Sequence, residues 1–461
     1  MNMATEFNVV GKGGREHALA TILARMHKVY SFGGSDAIRQ VAEPLDSDVL
    51  VNLENPLSDE ARDALLSKPD AIIVFGPEQP MAAGWVDQIR LAAPAAQILG
   101  PNQYAAQLES SKWWAKDFMM RNAVPTGAAE RIKKVEDFDR FALRFEPPYV
   151  IKADGLAAGK GVAILPDAAP ARDFVEGIVS GDLFGTPQTA LIEEYLEGPE
   201  LSIFLLLDGT RAVQIGMARD YKRAYDGDEG PNTGGMGAFT PVPDISAEDQ
   251  EAIDHTVLRP ILHGLKSDGI FYRGFLYVGL MRTTRGFKVL EFNVRMGDPE
   301  AQAVLPVLGD RLPLLLEHAA AGRLVDLSSE PWMEESAFDD LSRVRADRAA
   351  VCVVLASQGY PEPSPSGLPL AGLDGISADM PRDTFLFHAG TKRVPNGWET
   401  NGGRVLNAVA IDDTVATART HCYAAMERMN RSMLRYRTDI ARRESKGNPD
   451  GPLGAIFWRD R

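Results

Sequence analysis

Cysteine is nearly absent from this chain: Cys352 and Cys422 are the only two in 461 residues. They stand far apart and without a metal-type spacing, so neither a disulfide framework nor a zinc site is implied, and a reducing compartment fits. An excess of positive charge is also lacking. Against 64 Asp and Glu there are 49 Lys and Arg, a net charge of −15. No basic surplus exists to neutralise a nucleic-acid backbone, although a local basic pocket for small phosphates is still allowed. No apolar run approaches the roughly 20 residues of a membrane span. The first residues lack the charged start and apolar core of a secretory signal. The expectation is a cytoplasmic protein with neither a nucleic acid nor a membrane as partner.

What is present is a globular composition. Apolar residues make up 45% and charged residues 25%, which places the chain among soluble folded proteins. Its length allows about three domains, each large enough to bury a core.

The stretch around which the remainder is read is 289–300, VLEFNVRMGDPE. In a strand, residues i, i+2 and i+4 share a face. Glu291, Asn293 and Arg295 then point one way, and Phe292 and Val294 point into a core. Carboxylate and amide oxygens suit a hard cation such as Mg²⁺, which also takes phosphate oxygens and water. An arginine one step on can meet a phosphate. Gly297, Asp298 and Pro299 end the strand in a turn. Taken alone, the same pattern also describes a half-buried strand with a solvated polar face.

Upstream, residues 7–10 read as a buried strand running into a glycine turn at 11–17 and a helix from 18. Strand, glycine turn and helix is the layout of a phosphate- or nucleotide-holding unit, and the same residues taken alone equally describe glycines making a tight turn. It is not the dinucleotide fingerprint, because Glu16 occupies the third glycine position of GxGxxG. This disfavours an NAD-dependent dehydrogenase. Strands at 71–75 and 97–99 also end in glycine turns, at 76–78 and 100–101, which suggests a small parallel sheet in a first domain, 1–105. A helix is expected over 104–121 with Lys112 in its middle, either a solvated lysine or a phosphate ligand.

Residues 149–153 read as a strand carrying Lys152. It leads into a glycine- and alanine-rich hairpin with Gly155, Gly159, Lys160 and Gly161, suited to cover a triphosphate. It is not a Walker loop, since Gly161 follows Lys160. A strand at 190–196 bears Glu193, Tyr195 and Leu196, and another starts at Glu200. Those acids can hold a ribose or face water. The loop 219–241 is long for a compact domain, so an ordered substrate loop is expected. Residues 247–265 read as a helix broken near Pro260. Residues 325–348 read as a linker or surface insertion. Strands at 349–356, 384–388 and 404–411, with a helix over 413–433, make a small α+β third domain. A loosely held tail follows from 442.

Nine stretches taken together resemble the phosphoribosylamine–glycine ligase family of the ATP-grasp superfamily. They are GxGGREHAL at 11–19, GPE at 76–78, SK at 111–112, KADGLAAGKGV at 152–162 and EEYLEG at 193–198. DGDEGPNTGGMGA at 226–238, EFNVRMGDPEAQ at 291–302, FHAGT at 387–391 and TNGGRVL at 400–406 complete the set. They run in the family's order across nearly the whole chain.

The resemblance implies an α/β and α+β multidomain fold. An N-terminal small parallel α/β domain, like that of biotin carboxylase, would span 1–105. An ATP-grasp domain would follow at 106–330, with a lid at about 125–196, and a C-terminal α+β domain at 331–461. It implies an ATP-dependent joining of glycine to 5-phosphoribosylamine through a glycyl phosphate, with Mg²⁺ or Mn²⁺, by a monomer or homodimer. Lys112 and Lys152 would hold ATP phosphates under the 155–161 lid. Residues 193–196 would border the adenine, and Glu200 the ribose. Glu291 and Asn293 would hold the metal. Arg295, Lys152 and Asp298 would be catalytic. Gly13, Gly14 and Glu78, then Asp220, Lys222, Asn232, Thr233, Gly234 and Gly235, then Asn401, Gly402 and Arg404, would line the acceptor site with Asp298.

The chain departs from the family pattern at 32–36 (FGGSD), at 218–223 (ARDYKR), at Met296 and at 361–370. These departures keep open a paralogous ligase with another amino acid or amine. A non-catalytic nucleotide-binding protein would instead predict a missing metal ligand or phosphate lysine, and none is missing.

Overall fold

The structure is a computed structural model, and it describes residues 5–47, 51–156, 161–373, 381, 383–427 and 434–444. Its first layer is the parallel sheet anticipated from the glycine-terminated strands, but with five strands rather than three. Glu6–Val10 lies at the centre. Lys28–Phe32 and Glu43–Pro44 are on one side, Ile72–Phe75 and Ile98–Leu99 on the other. The strand order reverses at Glu6–Val10, and crevices at such reversals are where open α/β sheets bind ligands. The glycine turn after Glu6–Val10 and the Gly76-Pro77-Glu78 turn after Ile72–Phe75 flank that crevice.

The expected helix over 104–121 is two helices, Gln103–Ser110 and Lys112–Arg121. Ser111 is extended between them (φ −135°, ψ 110°) and its side chain caps the second by accepting from the Trp114 N–H. A serine that bonds its own backbone in this way competes with helix continuation. Lys112 therefore starts a helix instead of sitting within one.

A four-stranded antiparallel sheet follows, ordered Ala129–Ile132, Ala190–Glu193, Tyr149–Ala153 and Val162–Leu165. It carries its own small core of Ile132, Phe138, Ile151, Val175, Ile178 and Ile192. The helices Val135–Phe141 and Ala168–Ser180 supply part of that core.

The large sheet runs Gly286–Asn293, Arg273–Thr283, Glu200–Asp208, Ala212–Asp220, Gly237–Thr240, Ala349–Ser357, Arg404–Asp412 and Thr384–His388. The strands at 349–356, 404–411 and 384–388, read as a small α+β third domain, continue this sheet, because Gly237–Thr240 pairs antiparallel with Ala349–Ser357. The partner strand lies inside the 219–241 loop. That loop is ordered: it makes the hairpin Arg223–Tyr225/Glu229–Asn232 and then enters the sheet.

Residues 325–348 are not a linker. Leu341–Val344 pairs parallel with Ala212–Asp220 and antiparallel with Met333–Glu335, and Leu341 is buried. The segment showed no periodicity because its strands are three and four residues long, too short for a pattern to emerge. The break near Pro260 takes the form of a π-turn, Asp254–Leu258, between the helices Ala247–Ile253 and Arg259–Ser267.

Candidate active site

The strand Gly286–Asn293 sets the site by an irregularity. Its pairing with Arg273–Thr283 slips between Gly279 and Leu280, so Leu290 has no opposite residue. An extra residue in one strand shifts the alternation by one. Before the bulge Phe287 and Val289 face the core; after it Phe292 and Val294 do. Glu291, Asn293 and Arg295 are thereby kept on the face opposite Val294, as the alternation required, although Arg295 lies two residues past the strand end.

Glu291 is exposed to the open crevice, and four cations surround its carboxylate. The crevice walls push this carboxyl up by desolvation, but Lys222, Lys152, Lys112 and Arg295 outweigh them and hold it below its ordinary value. Among the described residues neither Glu291 nor Asn293 makes a side-chain hydrogen bond or ion pair. No group of three or more His, Cys, Asp or Glu side chains able to hold a metal occurs among those residues. Two free oxygen donors facing a cationic crevice fit a hard ion that completes its shell with water and phosphate.

Lys112 Nζ donates to the Gly155 carbonyl at 2.8 Å. Burial lowers its pKa, and Glu291 opposes this. Lys152 Nζ lies 3.0 Å from Glu193 Oε2 and 3.4 Å from the Leu290 carbonyl. Glu193 is buried between two lysines, for Lys116 Nζ also approaches it at 3.2 Å. Burial raises this carboxyl, but Lys152 and Lys116 bring it below the usual range. Its carboxylate thus serves to fix Lys152. Its neighbour Glu194 does not face open water either, since Lys288 binds it at 2.8 Å and Arg285 at 3.1 Å. The strand ends at Glu193, so Tyr195 and Leu196 lie in the link that follows, Tyr195 exposed and Leu196 buried.

Gly155 adopts φ +148°, which an L side chain rarely does, and the Gly161 carbonyl accepts from Ala153 N–H at 2.7 Å to close the hairpin base. Gly159 and Lys160 lie outside the described residues.

Arg295 joins two domains. Its Nε donates to Glu78 Oε2 at 3.1 Å, and its Nη2 is 2.7 Å from Glu109 Oε1. Glu109 in turn accepts the Val294 N–H at 2.7 Å.

A second network surrounds Asp298. Asp298 accepts from Gln302 Nε2 at 2.8 Å and from the Arg15 N–H at 3.3 Å, and pairs with Arg404 at 3.4 Å. Arg404 also donates to the carbonyl of Gly234 at 2.6 Å. Thr233 closes the loop by donating its hydroxyl to the Lys222 carbonyl at 2.8 Å, and the same hydroxyl accepts the Gly235 N–H at 3.0 Å. Lys222 pairs with Glu200; a carboxylate expected at a ribose is held by a lysine of the substrate loop. Asp220 stands beside them, and burial brings it up to about 6. Asn232, at the exposed end of the hairpin, pairs across to Arg223. The Asn401 N–H donates to Gly390 O at 2.8 Å, and Gly402 O accepts from Ser357 Oγ at 2.9 Å. These backbone bonds fix the turn from which Arg404 reaches in.

Gly13 and Gly14 open the helix Gly14–Leu23 beside Asp298 and Gln302. A Cβ on Gly14 would lie 2.7 Å from both Gln302 Nε2 and Asn407 Nδ2. Gly14 has an ordinary backbone conformation, and a side chain there would displace the buried ends of Gln302 and Asn407.

Five contributors escaped the sequence reading: Arg15, Glu109, Lys116, Glu300 and Tyr360. Glu109 and Lys116 sit three before and four after Lys112, spacings that share a face in one continuous helix. That spacing was available in the helix expected over 104–121 and was the signal that could have found them. Glu300 is buried, accepts from Ser202 Oγ at 3.4 Å, and burial with Asp220 nearby raises it to about 7. Tyr360 Oη, just past the end of the neighbouring strand Ala349–Ser357, accepts the Gly234 N–H at 3.0 Å, a contact no local pattern announces.

The glycine-turn helix also meets the third domain through histidines. The His388 N–H donates to His17 Nδ1 at 2.8 Å. Burial, with His388 beside it, lowers His17 from 6.5 to about 3. An unfolded chain would take up that proton near pH 6.5 and the folded one only near 3. This part of the stability is therefore complete above 6.5 and is lost as pH falls. Between pH 6.5 and pH 5 the expected loss is about 2 kcal/mol. Urea midpoints at the two pH values will test this beside His17→Gln, whose amide oxygen can accept the same N–H. An equal acid loss in the variant would refute it.

Three family models match the chain. They are the N domain of phosphoribosylglycinamide synthetase at 5–109, its ATP-grasp (A) domain at 110–301 and its C domain at 350–443. The chain is 40% identical over 442 residues to the phosphoribosylamine–glycine ligase of Caulobacter vibrioides, covering 94% of this chain and 96% of that protein. It is 37% identical over 437 residues to the corresponding ligase of Caldanaerobacter subterraneus, covering 94% and 98%. Among solved structures, the phosphoribosylamine–glycine ligase of Thermotoga maritima superposes with a TM-score of 0.78 at 31% identity, over 95% of this chain and 100% of that one. The biotin carboxylase domain of the Hydrogenobacter thermophilus 2-oxoglutarate carboxylase superposes at 0.67 and 16% identity, over 95% and 92%, which shows the shared fold. With all three domains matched in order over nearly its whole length, the chain belongs to the phosphoribosylamine–glycine ligase family of ATP-grasp enzymes.

Proposed function

We infer that this chain joins the carboxylate of glycine to the amine of 5-phosphoribosylamine, converting ATP to ADP and phosphate, in de novo purine biosynthesis. One observation carries the reading above the others. Lys112, Lys152, Arg295 and the free oxygens of Glu291 and Asn293 converge where the lid sheet, the large sheet and the N-terminal crevice meet.

The γ-phosphoryl of ATP passes to a glycine carboxylate oxygen. The amine nitrogen then bonds to the acyl carbon, inorganic phosphate leaves, and the amine releases a proton. Such chemistry depends on positioning and charge stabilisation. Lys112, anchored on the Gly155 carbonyl, and Lys152, anchored on Glu193, place two ammonium groups at the base of the lid hairpin for the phosphates. Arg295, clamped by two carboxylates, presents a fixed positive charge toward the transferring group. Glu291 and Asn293 would hold a divalent ion, Mg²⁺ or Mn²⁺, which supplies charge neutralisation at phosphate oxygens. Glu193 holds Lys152 in place and leaves adenine to the main chain of 193–196. Asp298, Arg404 and the 231–235 loop form the acceptor wall.

Within the departures at 32–36 and 218–223, Asp36 accepts the Arg393 N–H, and Arg219 pairs with Asp244 and Glu444, none of them a member of this wall. Neither breaks the Asp298–Arg404–Gly234 chain, which favours glycine and phosphoribosylamine over a paralogous pair. A cytoplasmic location fits the biosynthetic role, and no helix among the described residues is long and apolar enough to cross a membrane.

ADP release with ATP and Mg²⁺ will test the assignment, with 5-phosphoribosylamine generated in situ and glycine compared with a panel of amino acids. Release that requires both glycine and the amine is expected. Release with another amino acid, or only with another amine, would transfer the same site to a paralogous ligase.

A further inference from the structure

Glu109 ties together three parts of the site that are remote in the chain. It is next to last in the helix Gln103–Ser110, three residues before Lys112. One carboxylate oxygen, Oε1, lies 2.7 Å from Arg295 Nη2. The other, Oε2, accepts the Val294 N–H at 2.7 Å. Through Arg295 it also faces Glu78 of the N-terminal sheet, whose carboxylate takes the Arg295 Nε–H at 3.1 Å. Glu109 is buried. Its other charged or titratable neighbours are Arg15, Lys112 and Tyr272.

Burying a carboxylate is costly unless it is paired and hydrogen-bonded. Both oxygens here are used on the backbone and the guanidinium that follow Asn293. The strand Gly286–Asn293 has ended at this point, so no ladder bond carries its geometry on to Arg295. The Glu109 bond to Val294 takes over where the ladder stops, and its bond to Arg295 sets the direction of the guanidinium. Without Glu109, Arg295 would keep Glu78 on Nε and the Met296 carbonyl on Nη1 at 3.3 Å, and its Nη2 would lose its anchor.

We propose that Glu109 is a positioning residue for the ligation reaction, acting through Arg295 by fixing its guanidinium and the chain turn at Val294. The proposal rests on the reading of Arg295 as the group beside the transferring phosphoryl. Groups that orient the members of a site typically contribute about 10- to 100-fold to activity without touching substrate.

The test is a double-mutant cycle on ADP release with ATP, Mg²⁺, glycine and phosphoribosylamine, using Glu109→Gln, Arg295→Lys and the two combined. Glu109→Gln is expected to lower kcat about 10–100-fold with little change in the KM for ATP and in the melting temperature. In the Arg295→Lys background the same change should lower kcat by no more than about twofold, because the path it acts through is already broken. Losses that multiply in the double variant, or an unchanged kcat in Glu109→Gln, would overturn the proposal. Should Glu109→Gln not fold, Glu109→Asp keeps the charge but loses the reach to Nη2, and the same non-additivity is expected of it. Arg295→Lys alone tests the underlying reading. Full activity there would refute the role of Arg295 itself, whereas a slow Arg295→Lys beside a normal Glu109→Gln would refute only the role of Glu109.

Discussion

Glu291→Gln is expected to lower ADP release about 1,000-fold at saturating glycine and phosphoribosylamine. The substitution keeps the shape and one oxygen and removes the charge. Loss of a metal-holding carboxylate is worth several kcal/mol in the transition state, and each 1.36 kcal/mol is about tenfold in rate. The fold should survive: Glu291 is exposed and, among the described residues, makes no side-chain hydrogen bond or ion pair. It does contribute favourable charge to Lys222, Lys152, Lys112 and Arg295, so a small fall in melting temperature is expected with an unchanged circular dichroism spectrum. The residual rate should recover partly as Mg²⁺ is raised, because Asn293 and the amide oxygen introduced by the substitution still offer weak ligands. Wild-type rates at ordinary Mg²⁺ would remove the metal from this strand.

Arg295→Ala is expected to fail in two measurements at once. Turnover should fall about 100- to 1,000-fold, the usual consequence of deleting a preorganised group that meets developing charge. Stability should also fall, because Glu78 and Glu109 lose their shared partner. Breaking a buried pair by removing one member costs about 3–5 kcal/mol. The lower end is expected here, since burial already holds Glu109 up to about 7 and an unpaired Glu109 can take a proton. The stability loss should therefore be smaller at pH 6 than at pH 8, measured as urea midpoints. Arg295→Lys keeps a charge between the two acids, so it should lose turnover but little stability. Equal stability losses in both variants would mean that the guanidinium geometry, and not its charge, holds the N-terminal sheet to the strand end.

The chemistry of this protein was legible in residue order because it resides in short stretches whose spacing is itself the mechanism. The alternation of Glu291, Asn293 and Arg295 could be read directly, since strand geometry leaves side chains no choice of face. The glycine turns at 11–14 and 76–78 announced a crevice because they end parallel strands, and ligands gather at the carboxyl ends of such strands. Lys152 was singled out by the same kind of signal, the glycine-rich stretch that follows it in the chain.

Relations between distant segments were not legible. The joining of Gly237–Thr240 to Ala349–Ser357 runs one sheet through two of the expected domains. It depends on pairing between strands far apart in the chain, and nothing local specifies it. The bulge at Leu290 was hidden because it is a property of two strands in register and not of one. Glu193 and Glu200 read as solvent-facing or ribose-binding acids, yet each is paired with a lysine brought by another element. The sequence by itself thus determined the fold class, the family and its reaction. Tertiary structure alone decided which charges are free and which are paired. Coulombic pairing depends on distance in space, and the partners Glu78, Glu109 and Arg295 are neighbours only once three elements have packed together.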